Sequence, residues 1–98
     1  MSTQMDICFE WDPAKAATNL AKHGVTFEEA LTVFGDPLAR IFIDEEHSIE
    51  ERREILIGHS LRRRLLVICF TERDTIRIFS AREATKRERW DYEENVSS

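Results

Sequence analysis

The chain has 98 residues, of which 34% are charged and 42% apolar, and its formal net charge is −5. This length supplies one hydrophobic core, so we expect residues 1–98 to form a single domain. The sequence predicts no membrane helix, because no apolar run approaches about 20 residues, and it predicts no signal peptide. Its two cysteines are too few for a disulfide framework, which favours a cytoplasmic location.

The charges are unevenly distributed along the chain. Residues 1–54 have a net charge of −7, whereas residues 55–90 have a net charge of +5, and eight of the nine cations in this second segment are arginines. Arginine forms bidentate contacts with phosphate. The basic segment therefore favours an anionic partner, although a solvated surface with its own ion pairs would have the same composition.

The first half of the sequence predicts a strand followed by two helices. Alternating apolar residues predict a strand over Asp6–Trp11. Asp12 as N-cap and Pro13 in the first turn begin a helix, which Gly24 ends. The capping box Thr26–Glu29 begins a second, clearly amphipathic helix.

The second half predicts four strands and a helix. The hairpin-length linkers between the last three strands predict an antiparallel meander. An acid-rich loop, Asp44–Glu51, precedes these strands; we expect it to be mobile and to lie away from any bound RNA. The capping box Thr85–Glu88 begins a final helix, for which Trp90 is the obvious core anchor. The four strands are predicted at Leu38–Ile43, Arg53–His59, Arg64–Thr71 and Thr75–Ser80.

The motifs of several enzyme classes are absent from the sequence. There is no His-Glu-x-x-His, Cys-x-x-Cys, Gly-x-Gly-x-x-Gly or P-loop pattern, and the three histidines have no metal-ligand spacing. We therefore expect neither a metal ion nor a cofactor.

One face of the first helix combines two cations with a neighbouring histidine. Lys15, Asn19 and Lys22 have helical spacing, and His23 is adjacent to them. Such a face attracts phosphate and offers an acid–base group near neutral pH. The alternative is an ordinary exposed face whose His23 side chain satisfies the last helical carbonyls.

Four arginines lie in or beside the predicted meander. Arg53 and Arg64 begin neighbouring strands, Arg77 lies within the last strand, and Arg82 follows it. A meander would bring them to one end or face of the sheet, where converging cations call for an anionic ligand. The alternative is a network of ion pairs with the nearby acids Glu54, Glu83 and Glu88.

The final helix interleaves basic and aromatic side chains. Lys86, Arg87 and Arg89 surround Trp90 and Tyr92, a combination that suits contacts to an RNA backbone and stacking on its bases. Trp90 is better explained as a core residue, while the role of Tyr92 is left open.

Three blocks of the sequence resemble the BrnT toxin family over about residues 7–94. They are Phe9-Glu10-Trp11-Asp12-Pro13-x-Lys15 with Lys22-His23-Gly24-Val25-Thr26-Phe27, Glu51-x-Arg53 with Ile57-Gly58, and Ile76-Arg77-Ile78-x-Ser80-Ala81-Arg82-x-Ala84-Thr85. The chain departs from the family at Phe79, where isoleucine is frequent. Two adjacent arginines also fit the Glu51 motif, and Arg53 is the choice that precedes Gly58 by five residues.

The elements predicted from the residues have the order β-α-α-β-β-β-β-α, and the resemblance implies an α+β, RelE-like fold that is compatible with this order. Two N-terminal helices and a C-terminal helix would pack on an antiparallel sheet. It further implies the toxin of a type II toxin–antitoxin system, a ribonuclease that inhibits translation and growth. A BrnA-like antitoxin with a ribbon-helix-helix domain would neutralise it, and operator DNA would be bound only through that antitoxin.

For this function we expect metal-independent attack of the RNA 2′-OH on the adjacent phosphate. The catalytic candidates are His23 as proton carrier and Arg53, Arg77 and Arg82 as stabilisers of the phosphorane. Acid–base work by Tyr92, Glu88 or a lysine is an alternative. A non-catalytic module that binds RNA or protein is the second hypothesis, and a DNA-binding regulator is a weaker third. The RNA-binding candidates are Lys15, Lys22, Arg64, Lys86, Arg89 and Tyr92.

Overall fold

The computed structural model describes residues 7–47 and 51–97, and the α+β class predicted from the sequence is confirmed in them. In this part of the chain, three helices and five strands form the fold, with a short 3-10 helix at Glu45–His47. In chain order the elements are β1 (Phe9–Glu10), α1 (Pro13–His23), α2 (Phe27–Val33), β2 (Arg40–Ile43), β3 (Glu54–His59), β4 (Leu65–Glu72), β5 (Ile76–Glu83) and α3 (Lys86–Ser97).

The five strands form one sheet in the order β1-β5-β4-β3-β2. β2 to β5 are antiparallel as predicted, but β1 pairs with β5 in parallel, so the sheet is mixed and the wholly antiparallel prediction is wrong. The chain crosses from β1 through two helices and the whole meander before β5 forms, which lets β1 join the edge in the same direction. β1 has only two residues and pairs with Ile76 and Arg77 alone.

Local capping residues define the ends of the helices. The Asp12 side chain accepts a hydrogen bond from the Ala14 N–H at 2.8 Å, and Gly24 ends α1 with a φ of 69°. At α2 only half of the predicted capping box forms. Thr26 accepts from the Glu29 N–H at 3.0 Å, but the Glu29 side chain binds elsewhere.

The two faces of the sheet are covered by different helices. The larger core lies under α1 and α2, where Phe27 and Val33 pack against sheet residues such as Ile68 and Phe70. A smaller core on the other face contains Ile57, Leu65, Val67 and Tyr92.

α3 is anchored by Tyr92, and the prediction that Trp90 is its core residue is wrong. Trp90 is 60% exposed, whereas Tyr92 is 5% exposed and donates its hydroxyl proton to the Leu38 carbonyl at 3.2 Å. Residues two positions apart project from nearly opposite sides of a helix, so only one of the two can face the sheet.

β5 contains an irregularity that changes which residues face the core. Cys69 of β4 pairs with Ser80, but the next residue, Phe70, pairs with Ile78, so Phe79 is the extra residue of a bulge. The bulge shifts the alternation, and Ala81 rather than Ser80 follows Ile78 into the core. β5 then continues to Glu83, so Arg82 lies within the strand and does not follow it as predicted.

Candidate active site

Two neighbouring cavities are lined by residues of α1 and of the sheet, and together we call them the cleft. The larger has a volume of about 480 Å³ and the smaller, against α1, about 300 Å³. They adjoin each other, because Lys15, Phe79 and Ser80 line both. Their cationic and titratable lining comes from separate segments of the chain, namely Lys15, Lys22 and His23 of α1, Asp44 and Glu46 after β2, Arg53 before β3, Cys69 of β4 and Arg82 of β5.

Two of these cations lie against the aromatic ring of Phe79. The Arg53 guanidinium carbon lies 4.0 Å from the centroid of the Phe79 ring, and the Lys15 ammonium nitrogen lies 5.6 Å from it. Both distances are within the range of a cation–π interaction. The bulge aims the aromatic ring between the two side chains.

Arg82 lines the cleft, and its guanidinium is held in place by Glu88. Its two terminal nitrogens donate to the two carboxylate oxygens of Glu88 at 2.8 and 2.9 Å. The hydrogen bonds from Arg82 lower the pKa of Glu88 to about 2, and the same pairing raises the pKa of Arg82. Glu88 also accepts from the Thr85 N–H at 2.9 Å, and its own N–H donates to the Thr85 hydroxyl, so it completes the capping box of α3.

Asn19 ties α1 to the strand that carries Arg82. Its side chain is buried and donates to the Ala81 carbonyl at 2.7 Å, while its amide oxygen accepts from the Ala81 N–H at 3.1 Å. The same amide nitrogen donates to the Val25 carbonyl at 3.0 Å. The pairing of β1 with β5 ends at Arg77, so no β1 residue pairs with Ala81. The Asn19 carboxamide instead makes the two backbone hydrogen bonds that a neighbouring strand would make with Ala81.

Acidic residues also lie in the cleft: the loop Asp44–Glu51, which we expect to lie away from bound RNA, contributes Asp44 and Glu46 to the lining that contains the cations. Asp44 is only 9% exposed, and its N–H donates to the Arg53 carbonyl at 2.9 Å. Glu46 lines the same cavity. The predicted mobility of this loop concerns in part residues 48–50, which lie outside the described residues.

The Cys69 thiol is a further titratable group that lines the cleft. Burial, followed by the neighbouring Asp44 carboxylate, raises the pKa of Cys69 to about 11. The thiol is therefore protonated near neutral pH and is a poor nucleophile.

The four meander arginines do not converge as predicted. β3 and β4 are antiparallel, so Arg53 before one strand and Arg64 before the other lie at opposite ends of the sheet. Arg64 donates to both oxygens of Glu29, to the Gly24 carbonyl and to Glu83, which matches the ion-pair alternative. Arg77 pairs with Glu10 at 3.1 Å and does not line the cleft.

The RNA-binding candidates on α3 are also placed outside the cleft. Lys86 is exposed and Arg89 is half-buried, but neither lines it. The Tyr92 ring is packed in the smaller core and its hydroxyl bonds to backbone, and it does not line the cleft. Of the sequence candidates, the structure brings together His23, Lys15, Lys22, Arg53 and Arg82.

Sequence reasoning missed the roles of Phe79 and Asn19. Phe79 was noticed only as a departure from a family pattern, and the bulge that exposes it depends on strand register, which the sequence does not display. The signal for Asn19 was available, since a short polar side chain in the middle of a helix often bonds to neighbouring backbone.

Comparison with known proteins identifies the class to which this fold and cleft belong. The family model described as "Ribonuclease toxin, BrnT, of type II toxin-antitoxin system" matches residues 11–88. The chain therefore belongs to the BrnT family of ribonuclease toxins of type II toxin–antitoxin systems, whose members act with an antitoxin.

A solved structure has a similar fold. It is the 1.1 Å crystal structure of the Brucella abortus ribonuclease toxin BrnT, with a TM-score of 0.59 and 24% sequence identity, and the match covers 83% of this chain and all of that one. No curated protein matches the chain.

Within 7–47 and 51–97, no three His, Cys, Asp or Glu side chains are grouped so as to hold a metal ion. No helix in the same part of the chain has the length and apolar character needed to cross a membrane.

Proposed function

We propose that this protein is an endoribonuclease that cleaves RNA without a metal ion, by attack of a 2′-OH on the adjacent phosphate. The observation that carries the proposal is the convergence of Lys15, Arg53 and Arg82, from three separate chain segments, on one cleft. An array of fixed cations is what a developing phosphorane dianion needs for stabilisation.

In this reaction a base removes the 2′-OH proton, the O2′–P bond forms and the P–O5′ bond breaks. An acid protonates the departing 5′ oxygen, and the products are a 2′,3′-cyclic phosphate and a 5′-OH. We assign the proton transfers to His23, whose imidazole lines the cleft: it accepts the 2′-OH proton in its neutral form and then gives that proton to the 5′ oxygen. Arg53 and Arg82 stabilise the phosphorane, and Lys15 and Lys22 hold the RNA backbone.

This assignment is smaller than the set the sequence suggested. Arg77 and Arg64 are omitted because neither lines the cleft. Arg77 pairs with Glu10, and Arg64 lies at the other end of the sheet, where it pairs with Glu29. Lys86 and Arg89 remain candidates only for RNA that extends beyond the cleft.

We further propose a RelE-like fold, action in the cytoplasm where the RNA substrate is found, and inhibition by a BrnA-like antitoxin that occludes the cleft. Operator DNA would be bound through the ribbon-helix-helix domain of the antitoxin. A heterotetramer built on the antitoxin dimer is expected; light scattering of the purified complex would give its stoichiometry.

The direct test is incubation of the purified protein with RNA in EDTA. Cleavage is expected to persist and to leave 2′,3′-cyclic phosphate ends. Arg53→Ala should abolish most of it, whereas Arg73→Ala is the matched control, because Arg73 also lies 3.8 Å from Glu51 but does not line the cleft. Activity that disappears in EDTA and returns with one divalent ion would contradict the metal-free mechanism.

A further inference from the structure

A third cavity lies beside the cleft, between the sheet and α3, and nothing described above uses it. Its volume is about 260 Å³. Ile55 and Val67 line both this cavity and the larger cavity of the cleft, so the two share a wall. Its apolar lining is completed by Phe42, Ile57 and Tyr92.

We propose that this cavity binds one nucleobase of the RNA whose scissile phosphate lies in the cleft. The proposal rests on the ribonuclease function proposed above. A phosphate held between Arg53 and Arg82 places the bases of its own two nucleotides within reach of the shared wall. Proteins that read single-stranded RNA accept such splayed bases in apolar slots with aromatic walls.

The size and chemistry of the cavity favour a base over a larger ligand. Its volume is below the roughly 300–1,000 Å³ that is usual for drug-sized molecules. Its polar lining is supplied by Arg40, Asp91 and Asn95, which are side chains able to bond to the edges of a base. Phe42 is 51% exposed, so the cavity is open to solvent beside an aromatic ring.

Glu88 connects the cavity to the proposed chemistry. Its carboxylate lines the cavity and holds the Arg82 fork at 2.8 and 2.9 Å. A base in the cavity would therefore lie one side chain away from a group that stabilises the transition state. The cavity is thus placed to determine which nucleotide is cleaved.

The test combines a filled cavity with RNA that lacks one base. Ile57 lines the cavity but not the cleft, so Ile57→Phe fills the first without entering the second. Ile41→Phe is the matched control, since Ile41 is 57% exposed on the neighbouring strand and does not line the cavity. The substrates are short RNAs with an abasic ribose on the 5′ or the 3′ side of the scissile bond; each keeps its 2′-OH.

For the wild-type protein, removal of the base on one side is expected to lower kcat/KM about 10-fold, as the loss of a stacked base does. Ile57→Phe should lower kcat/KM for intact RNA by about the same factor and then be insensitive to removal of that base. Ile41→Phe should behave as wild type. Phe42→Ala, an exposed substitution that removes one wall, should also weaken the effect of the base.

Equal losses on base removal in wild type and in both cavity variants would overturn the proposal. Unchanged cleavage by Ile57→Phe combined with loss of antitoxin binding would also overturn it and assign the cavity to the protein partner. A wild-type protein that cleaves no RNA would instead refute the ribonuclease function on which the proposal depends.

Discussion

Arg82 has two roles to distinguish. It is proposed to stabilise the transition state, and it also pairs with Glu88 at the start of α3. Arg82→Ala is expected to lower the cleavage rate about 10²–10³-fold, the usual loss when one donor to a developing anion is removed. Arg82→Lys should recover little, since a point charge does not reproduce a bidentate fork. The measurements are the RNA cleavage rate and the thermal unfolding temperature of each variant.

Glu88→Gln separates the two roles of Arg82, because glutamine can complete the Thr85 capping box but has no charge. If Arg82 is catalytic, Glu88→Gln retains cleavage while Arg82→Ala does not. Equal loss of cleavage in both variants would show that the pair is structural.

The pKa of Glu88 falls from its usual 4.5 to about 2 on folding, so the pair stabilises the fold above about pH 4.5 and this contribution is lost as the pH falls towards 2. Glu88→Gln should lose less stability than wild type across that acid range.

Asn19 is expected both to stabilise the fold and to position α1 against β5, so its replacement should affect stability and activity. Asn19→Ala leaves the buried N–H and carbonyl of Ala81 without their partner, which costs about 1–3 kcal/mol per group. It also frees the α1 face that carries Lys15 and His23 to shift relative to Arg82, and misplacement by about 1 Å can cost 10²-fold in rate. We expect kcat to fall at temperatures where the variant is fully folded.

A destabilised variant with an intact tie between α1 and β5 is the control for Asn19→Ala. Val33→Ala creates a cavity where α2 packs on the sheet and should lower the unfolding temperature. At temperatures where this variant is folded, its kcat should stay near wild type. If the two variants lose the same fraction of kcat at matched stability, Asn19 has no positioning role.

Among the elements, those with local signals were predicted well. Asp12, Pro13 and Gly24 lie within a few residues of the helix they define, and the structure places α1 between them. The side-chain half of the Thr26–Glu29 capping box failed for a tertiary reason: Arg64, 35 residues away, offers the Glu29 carboxylate a stronger, charged partner.

The elements of the candidate site were predicted less well, because the site depends on register and packing. Arg53 and Arg64 occupy equivalent positions in the sequence, at the starts of two strands, yet the antiparallel pairing separates them by the length of the sheet. The bulge at Phe79 and the choice of Tyr92 over Trp90 both depend on which neighbour occupies the space beside them. None of these is visible in residue spacing.

The Glu29–Arg64 pair is expected to act on the stability of the fold, since it joins α2 to the β3–β4 hairpin. The Glu29 side chain is 5% exposed, and it also accepts from the Ser60 hydroxyl at 2.7 Å. Arg64→Ala leaves a buried carboxylate without its cation, which costs about 3–5 kcal/mol. At about 4–8 °C per kcal/mol for a domain of this size, the unfolding temperature should fall by at least about 12 °C.

Arg62→Ala is the matched control for this prediction. Arg62 lies 3.7 Å from the same carboxylate, but its side chain is 72% exposed, and such surface pairs contribute about 0–1 kcal/mol. A comparable drop in unfolding temperature for both variants would show that the buried Glu29–Arg64 pair contributes no more to stability than the exposed pair. RNA affinity of folded Arg64→Ala should match wild type, because Arg64 lies outside the cleft.

For the whole molecule, a net charge of −5 is compatible with RNA binding because the cations of the proposed site line one cleft. Asp44 and Glu46 line the same cleft and offset part of this positive charge. Long-range attraction of RNA should therefore be modest, and binding should depend on a few close phosphate contacts rather than on the overall field of the protein.

The number of those contacts can be measured from the salt dependence of binding. For single-stranded nucleic acid, log K falls with log salt concentration with a slope of about −0.7 per phosphate neutralised. Contacts from Lys15, Lys22, Arg53 and Arg82 predict a slope of about −3 for an RNA whose scissile 2′-OH is replaced by hydrogen, so that it binds without being cleaved. Lys22→Ala should make the slope shallower by about 0.7, whereas the exposed control Arg73→Ala should leave it unchanged. A markedly steeper slope, or an equal effect of both substitutions, would mean that RNA also contacts exposed cations outside the cleft.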